Sequence, residues 1–297
     1  MSATFRHYTP EPLFGGDYAK VRDFLIELDS HNYHFGRWDW MITHGWLDSS
    51  GLPKIGMWEC GDRLVGLATY DCQLGKAYLL TLPGYESIKE DMLVYAADNL
   101  IKDGKFGVLI LDGDQPMQDI AANHGYYPTQ DKECDAVIPI GSDLSYTLPE
   151  GFRITSLKDT FDIDRYGRVL WKGFNHELNG EGPFVPKDEK NGKAGFIRPN
   201  VNLDLKIAVV APNGDFVSYC GMWQDKRSKS ALVEPVATDP DYRNMGLGKA
   251  AVLEAVKRCF DLGAERAFVG STQQFYYSIG FRPYRTSTWW AKKDIIL

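Results

Sequence analysis

Hydrophobic positions in each half of the chain alternate around a short polar turn, a pattern that predicts a β-hairpin. In the first half the run is MWECGDRLVGLATY, with its turn at Cys60–Asp62. In the second half it is IAVVAPNGDFVSYCGMW, with its turn at Asn213–Asp215. Each hairpin is followed by another strand-like run, AYLLT or ALVEPVAT, which ends in Thr-x-Pro-x-Tyr at Thr81 and Thr238. Each half is therefore expected to begin with an antiparallel sheet.

A helix with an apolar stripe follows each of these strands. Apolar side chains recur at i, i+4, i+7 and i+8, and a glycine then ends the pattern. The stripes are Leu93, Ala97, Leu100 and Ile101 before Gly104, and Val252, Val256, Cys259 and Phe260 before Gly263. A buried-strand candidate comes next (FGVLIL or RAFVG), and then Gly-aromatic-x-Pro at Gly125 and Gly280. The same order of elements is thus predicted twice.

The spacing of these features favours an internal duplication. Thr81 and Thr238 are 157 positions apart, and Gly125 and Gly280 are 155 positions apart. The segment Pro139–Gly151 is rich in Pro, Gly and Ser and lacks periodicity, which is typical of a linker. We therefore predict two copies of one mixed α/β unit, at residues 1–141 and 150–297. Chance similarity between two α/β halves is the alternative.

Composition limits the class of protein. The chain has 297 residues, of which 44% are hydrophobic and 25% charged, as in a globular protein with a substantial core. The net charge of −7 and the lack of a Lys/Arg run argue against a nucleic-acid or membrane partner. No segment approaches the length of a transmembrane helix. The sequence predicts a cytoplasmic protein, as a monomer or a homodimer.

Cysteine and histidine spacing predicts neither a disulfide framework nor a metal site. The five cysteines are odd in number and include no C-x-x-C pair. His31, His34 and His44 have no acid or cysteine at ligand spacing. We therefore expect reduced thiols and no metal.

The stretch TDPDYRNMGLGKA, from Thr238 to Ala250, carries the clearest chemical signal. It predicts a strand end, a turn and a helix whose first turn is almost free of side chains. The first N–H groups of a helix lack intrahelical partners, and the helix dipole places partial positive charge there. Gly246 and Gly248 would let an anion approach these groups, and Arg243 adds a formal charge. A phosphate or diphosphate is the predicted guest.

Two common phosphate-binding motifs fit this stretch poorly. A P-loop needs Gly-Lys-Ser/Thr, but Gly248-Lys249 is followed by Ala250, and Arg243 stands where the first glycine belongs. The dinucleotide fingerprint is formally met by Gly246, Gly248 and Ala251, but a five-residue turn separates the strand from the first glycine. A nicotinamide-dependent oxidoreductase is thus the weaker alternative.

The pattern Val-x-Thr-x-Pro followed by Arg-x-x-Gly-x-Gly resembles the acyl-CoA-binding motif of the GNAT superfamily of N-acyltransferases. FYYSIGFRPY resembles the family's later Phe-Tyr-x-x-x-Gly-Phe element. The resemblance is clear over about Ile207–Tyr284 and weaker over about Met57–Ile140. It implies an α/β (mixed, α+β-like) fold of two tandem GNAT-like domains. Each would have a central, mostly antiparallel mixed sheet flanked by helices.

The resemblance also implies roles for individual residues. The acetyl-CoA diphosphate would bind at Arg243, Asn244, Met245, Gly246, Leu247, Gly248 and Lys249, and the pantetheine arm along Val236, Ala237 and Thr238. Main-chain N–H groups of that strand would stabilise the oxyanion. Tyr276 matches the tyrosine that protonates the departing thiolate, and Glu234 matches the acid that accepts the proton of the amine.

Each of these two side chains also has a structural interpretation. Tyr276 could be a core aromatic residue, and Glu234 a solvated strand residue or an ion-pair partner. Pro235 within a strand predicts an edge or a bulge. The family's asparagine before Phe-Tyr is replaced here by the run Gly270–Gln273.

The first half lacks the anion loop. Aligned on Thr-x-Pro, Arg243, Gly246 and Gly248 meet Glu86, Lys89 and Asp91; aligned on the helix stripe, they meet Gly84, Ser87 and Lys89. In either register the Gly-x-Gly is missing, and Glu86, Glu90 and Asp91 would repel a diphosphate. Ala121 stands in the place of Tyr276. We expect this half to fold as a degenerate copy that does not bind acyl-CoA. It would pack against the second half and help to wall the acceptor pocket, for which the candidates are Trp171, Phe174, Asn175, His176 and Trp223.

The predicted function is transfer of an acetyl group from acetyl-CoA to a primary amine of a small molecule. The amine would attack directly in a ternary complex, because no cysteine lies at a plausible nucleophile position. A non-catalytic acyl-CoA-binding sensor is the alternative from another class.

Overall fold

A computed structural model of the protein describes residues 3–30, 32–186 and 195–293. The strands are β1 (Thr4–His7), β2 (Gly56–Cys60), β3 (Arg63–Asp71), β4 (Gln73–Thr81), β5 (Gly107–Leu111), β6 (Tyr126–Pro139), β7 (Arg153–Ser156), β8 (Lys206–Val210), β9 (Phe216–Gln224), β10 (Ser230–Thr238), β11 (Arg266–Val269) and β12 (Arg282–Lys292). The α-helices are α1 (Gly16–Leu28), α2 (Phe35–Thr43), α3 (Lys89–Asn99), α4 (Gln115–Asn123), α5 (Ile163–Gly173), α6 (Leu247–Asp261) and α7 (Gln274–Ser278).

The chain forms two compact units whose limits differ from the predicted 1–141 and 150–297. The first unit contains Met1–Asp135 together with Tyr284–Leu297, and the second contains Ala136–Pro283. The end of the chain belongs to the first unit because β12 pairs with β5, with Trp289 opposite Leu109. Conversely, the last residues of β6 pair with β11, so Ala136 belongs to the second unit. The composition of Pro139–Gly151 predicted a linker, but composition does not show which strands pair, so it could not predict that β12 belongs to the first unit.

The first unit has a mixed sheet in the order β1-β2-β3-β4-β5-β12, with β6 next to β12. Strands β4 and β5 run parallel, whereas the pairs β1–β2, β2–β3, β3–β4 and β5–β12 are antiparallel. Only Lys76–Tyr78 of β4 pair with β5, so these two strands separate beyond Tyr78.

The second unit repeats this plan. Its strand order is β6-β11-β10-β9-β8-β7, and only β10 and β11 run parallel. Both predicted hairpins are present, as β2–β3 and β8–β9. The mixed, mostly antiparallel sheets confirm the predicted fold class.

Alternation along β8 explains why helices cover both faces of the second sheet. Ile207 and Val209 lie in the core that includes residues of α6, whereas Ala208 and Val210 lie in the core that includes residues of α5. Successive side chains of a strand point to opposite faces, so a strand apolar at every position is buried on both sides. This places α5 and α6 on opposite faces of the strands that carry the candidate site.

The two apolar-striped helices are present, but the first ends earlier than its pattern predicts. α3 stops at Asn99, so Leu100 and Ile101 lie beyond it. The carbonyl of Leu100 accepts a hydrogen bond from the N–H of Gly75 (2.7 Å) and is thereby committed to a contact outside the helix. In α6 the stripe and its end agree with the prediction, because Gly263 at φ 101° lets Ala264 donate back to Cys259.

Candidate active site

The site in the second unit begins where β10 leaves β11. The parallel pairing covers Ser230–Leu232, and β10 then continues only along β9, with a bulge between Val233 and Val236. Pro235, which has no N–H to give to a sheet, lies within this bulge. The bulge predicted from Pro235 is thus confirmed. Among the described residues, no strand pairs with the remaining edge of β10, up to Thr238, on the side of β11.

Two residues of β9 contact the bulge of β10 and fix the position of its main chain. A side chain at Gly221 would place its Cβ 2.6 Å from the carbonyl oxygen of Glu234, so only glycine fits. The indole Nε1 of Trp223 donates to the same oxygen (3.2 Å). Trp223 is only 6% exposed, and the ammonium of Lys206 lies 3.7 Å from its ring centroid. Trp223, a candidate pocket residue, is therefore a packed residue that positions the Glu234 main chain.

The loop between β10 and α6 forms a row of main-chain donors. Asn244 and Gly246 both have left-handed backbone conformations, at φ 63° and 78°. Among the residues that the structure describes, the N–H groups of Asn244–Lys249 donate to no protein acceptor. Alternating left- and right-handed residues make a concave nest of N–H groups, which is suited to an anion. The first turn of α6 carries no acidic side chain that would oppose one.

Packing around Gly248 leaves little room for a side chain. A Cβ at this position would lie 3.1 Å from Oγ1 of Thr238 and 3.3 Å from the ring of Phe275. The start of α6 therefore lies directly against the end of β10 and against α7, which bears Tyr276. The hydroxyls of Thr238 and Ser218 are 2.9 Å apart and join β10 to β9 at this point.

Arg243 does more than add charge beside the loop. Its Nη2 donates to the carbonyl oxygen of Gly173 (2.9 Å) and to Oδ1 of Asn175 (2.7 Å), and its Nε donates to the carbonyl oxygen of Thr238 (3.2 Å). Two of its three nitrogens are thus engaged by the protein. Its own main-chain N–H is also used, since it donates to Pro240 (3.3 Å).

The ring of Tyr276 lies in the core. It is edge-on to the rings of Phe275 and Phe281, at centroid distances of 5.0 and 5.5 Å. Its hydroxyl makes no hydrogen bond with any described residue. Burial, and to a smaller extent the nearby Glu234 carboxylate, raises the pKa of Tyr276 well above its usual value. The hydroxyl is therefore protonated at neutral pH.

The last turn of α5, which includes Trp171, and the segment after it contain the other four candidate pocket residues. The rings of Trp171 and His176 are stacked, with centroids 4.2 Å apart and planes at 19°. Nε1 of Trp171 donates to the carbonyl oxygen of Gly182, and Nδ1 of His176 lies 2.8 Å from a carboxylate oxygen of Glu181.

The remaining two residues differ in exposure and in backbone conformation. Phe174 is 46% exposed, as expected for a residue that could meet a ligand. Asn175 adopts φ 65°, a conformation that asparagine tolerates better than most residues.

The corresponding loop of the first unit is occupied by its own side chains. Both carboxylate oxygens of Glu86 lie 3.0 Å from the main-chain nitrogen of Gly84. Hydrogen bonds from the main chain of Glu86 itself and of Gly84 lower the pKa of Glu86. Lys89 is paired with Asp114 (2.6 Å) at a cavity of about 150 Å³ where β4 and β5 separate. The sequence predicts the negative charge of Glu86 but not its hydrogen bond to the main chain of Gly84.

Neither a metal centre nor a membrane span is found among the described residues. No group of three or more His, Cys, Asp or Glu side chains there could hold a metal ion. No helix in the described part is long and apolar enough to cross a bilayer.

Residues 170–281 match the model of the acetyltransferase (GNAT) family. No curated protein matches the sequence. The matched range contains the end of α5, the bulge, the donor row and α7, and it includes all the candidate site residues.

Solved structures share the fold over nearly the whole chain. A GCN5-related N-acetyltransferase from Sphaerobacter thermophilus is 12% identical with a TM-score of 0.58, covering 98% of this chain and 95% of that one. A tandem GNAT protein from the clavulanic acid biosynthesis pathway has the same identity and TM-score, covering 97% and 98%. Saccharomyces cerevisiae N-myristoyltransferase, solved with bound myristoyl-CoA and inhibitors, is 12% identical with a TM-score of 0.52, covering 98% and 80%. At these identities the likeness concerns the fold.

Proposed function

We propose that this chain, which carries a GNAT-family domain at residues 170–281, transfers an acetyl group from acetyl-CoA to a primary amine of a small molecule. Membership of that family supports acyl transfer from an acyl-CoA. The acetyl group, the amine and the individual roles below are our proposal. The row of unpartnered N–H groups at Asn244–Lys249, beside the open edge of β10, is the observation that carries it.

The donor would lie along these two features. Its diphosphate would accept hydrogen bonds from the N–H groups of Asn244–Lys249, where the dipole of α6 favours negative charge. Its pantetheine arm would follow the edge of β10 from Val236 to Thr238, with which no strand in the described part of the chain pairs on that side. This arrangement brings the thioester to the bulge.

Two side chains would then handle the protons. Glu234 at the bulge would accept the proton of the amine, directly or through water, as the nitrogen attacks the thioester carbon. The main-chain N–H groups of β10 would stabilise the oxyanion that forms. When the C–S bond breaks, the hydroxyl of Tyr276 would give its proton to the thiolate, and the products would be an amide and free CoA thiol.

The test is release of thiol from acetyl-CoA in the presence of a panel of primary amines. We expect at least one amine to raise the rate well above hydrolysis. Calorimetric binding of acetyl-CoA without any thiol release across the panel would instead identify a sensor. A thermal shift with NADH but not with acetyl-CoA would favour an oxidoreductase.

A further inference from the structure

We infer that Arg243 and Lys172 form a latch that couples the donor loop, Asp239–Gly246, to the acceptor segment, Gly173–His176. Arg243 then acts as a positioning residue for the amine, in addition to any contact with the diphosphate. This inference rests on the proposed function, because it assigns the loop to the donor and the segment to the acceptor.

The first tie is the guanidinium of Arg243. One nitrogen, Nη2, contacts the main chain of Gly173 and the side chain of Asn175, while Nε contacts Thr238 at the end of β10. A planar guanidinium holds several acceptors in fixed directions, which a lysine ammonium on a flexible stem does not. The donor loop and the acceptor segment, about 70 residues apart in the chain, thus share one rigid group.

The second tie is Lys172, the residue before the segment. Its Nζ lies 2.7 Å from Asp239 and 2.9 Å from Asp241, and its side chain is only 15% exposed. Burial opposes its charge, but hydrogen bonds to the two carboxylates raise the pKa of Lys172. Asp239, itself 4% exposed, also accepts from the N–H of Asp241 and so holds the turn of the donor loop.

Direct packing completes the latch. A Cβ at Gly173 would lie 2.7 Å from Cβ of Ala237 and 2.9 Å from the nitrogen of Thr238. The end of α5 therefore rests on the part of β10 that would face the pantetheine arm. A shift of either element displaces the other, because packed atoms leave no room for independent movement.

The coupling has a consequence for the acceptor side. The ring of Trp171, in the last turn of α5, is stacked on the ring of His176 in the acceptor segment. A diphosphate bound to the N–H groups of Asn244–Lys249 would restrict the motion of the donor loop and of Arg243 within it. The acceptor segment, which is hydrogen-bonded to Arg243, would then be restricted as well. Donor binding should therefore order the acceptor segment, which is coupling between two sites through one shared group.

The test is a double-mutant cycle of Arg243→Lys and Asn175→Gly. Lysine keeps the charge but loses the forked contact, and glycine keeps the left-handed backbone while removing the amide. We expect Arg243→Lys to raise the KM for the amine about 10-fold, as for loss of a charged hydrogen bond, with the Kd of acetyl-CoA changed less than about threefold. Asn175→Gly should have a smaller effect of the same kind, and the double variant should resemble Arg243→Lys. Arg168→Lys, on the exposed side of α5, is the matched control.

Hydrogen exchange gives a readout that needs no turnover. Amides of residues 174–182 should be protected by acetyl-CoA in the wild type, and this protection should be lost in Arg243→Lys but kept in Arg168→Lys. Additive effects in the cycle, or protection that persists in Arg243→Lys, would overturn the latch. If the wild type does not bind acetyl-CoA, the proposed function is refuted. The latch is then tested without ligand: faster exchange of residues 174–182 in Arg243→Lys than in the wild type would support it, and unchanged exchange would overturn it.

Discussion

At the scale of single residues, the environment of Tyr276 combines a packed ring with a free hydroxyl. The ring is part of the hydrophobic core, as the interpretation of Tyr276 as a core aromatic residue predicts. That interpretation does not concern the hydroxyl. The hydroxyl makes no hydrogen bond with described residues, and its raised pKa keeps it protonated. The two interpretations therefore concern different atoms of the same side chain and can be separated by experiment.

Replacing Tyr276 by phenylalanine removes only the hydroxyl. We expect kcat to fall about 100-fold through loss of the proton donor. The Kd of acetyl-CoA and the free energy of unfolding should stay almost unchanged, because the ring contacts remain. Steady-state kinetics and calorimetry measure these quantities, and Tyr277→Phe is the control on the same helix. An unchanged kcat would remove Tyr276 from the mechanism.

Asp135 offers a test of pH-dependent stability in the first unit. Burial and, to a smaller extent, the nearby Glu133 raise its pKa from 3.8 to about 7, and Arg285 opposes the shift. Because the folded-state pKa lies above the unfolded one, this group costs stability as the pH rises from about 4 to 7.

We therefore expect Asp135→Asn to stabilise the protein by about 1–3 kcal/mol at pH 8 and to have little effect near pH 4. Urea unfolding followed by fluorescence suits this measurement, since six of the eight tryptophans lie in the first unit. The exposed Asp131→Asn is the control. Equal effects of Asp135→Asn at both pH values would contradict the prediction.

At the scale of elements, the bulge in β10 follows the last residue that pairs with β11. Pro235 interrupts the strand, but the shape of the bulge depends on β9, where Gly221 leaves room and Trp223 donates to the Glu234 carbonyl. The strand alone predicts an irregularity, and the neighbouring strand determines its geometry.

Trp223→Phe should loosen this bulge. The carbonyl of Glu234 loses the indole donor, which we expect to lower the free energy of unfolding by about 1–2 kcal/mol. The value of kcat should fall because Glu234 is displaced, while the Kd of acetyl-CoA changes little. Trp46→Phe, at a side chain that is 74% exposed, is the control for loss of an indole. A variant with normal kcat would show that the bulge position does not matter for catalysis.

At the scale of the whole molecule, the two units share a plan but differ in their loops. In the second unit the N–H row of Asn244–Lys249 has no protein acceptor among described residues. In the first unit the carboxylate of Glu86 accepts from Gly84, and Lys89 is paired with Asp114 beside the gap in the sheet. We propose that the first unit does not bind acyl-CoA.

The expected stoichiometry is one acetyl-CoA per chain. Calorimetry should give a single site, and Gly246→Asp should abolish it by placing a carboxylate and a strained backbone at the donor row. Glu86→Gln in the first unit should leave the stoichiometry and affinity unchanged. Two equivalents per chain would contradict our proposal for the first unit.

Local sequence was sufficient for much of the fold and for the donor loop. Alternation predicted both hairpins, the apolar stripe predicted α6, and Gly246 lies in the left-handed conformation that glycine adopts easily. These features depend on residues within a few positions of one another, so their physical causes are present in the sequence as written. The end of α3 was less predictable, because the bond from Gly75 to the carbonyl of Leu100 comes from outside the helix.

Tertiary structure decided what depends on partners distant in the chain. The sequence predicts that Arg243 binds an anion. In the structure its guanidinium donates hydrogen bonds to Gly173 and Asn175, and no residue near Arg243 in the sequence predicts these partners. Likewise, β12 belongs to the first unit because its backbone pairs with β5, and any strand can pair with any edge of suitable length. Sequence by itself thus determined the elements and the donor loop. Only the fold determined which distant groups meet, because that choice depends on packing and pairing across the whole chain.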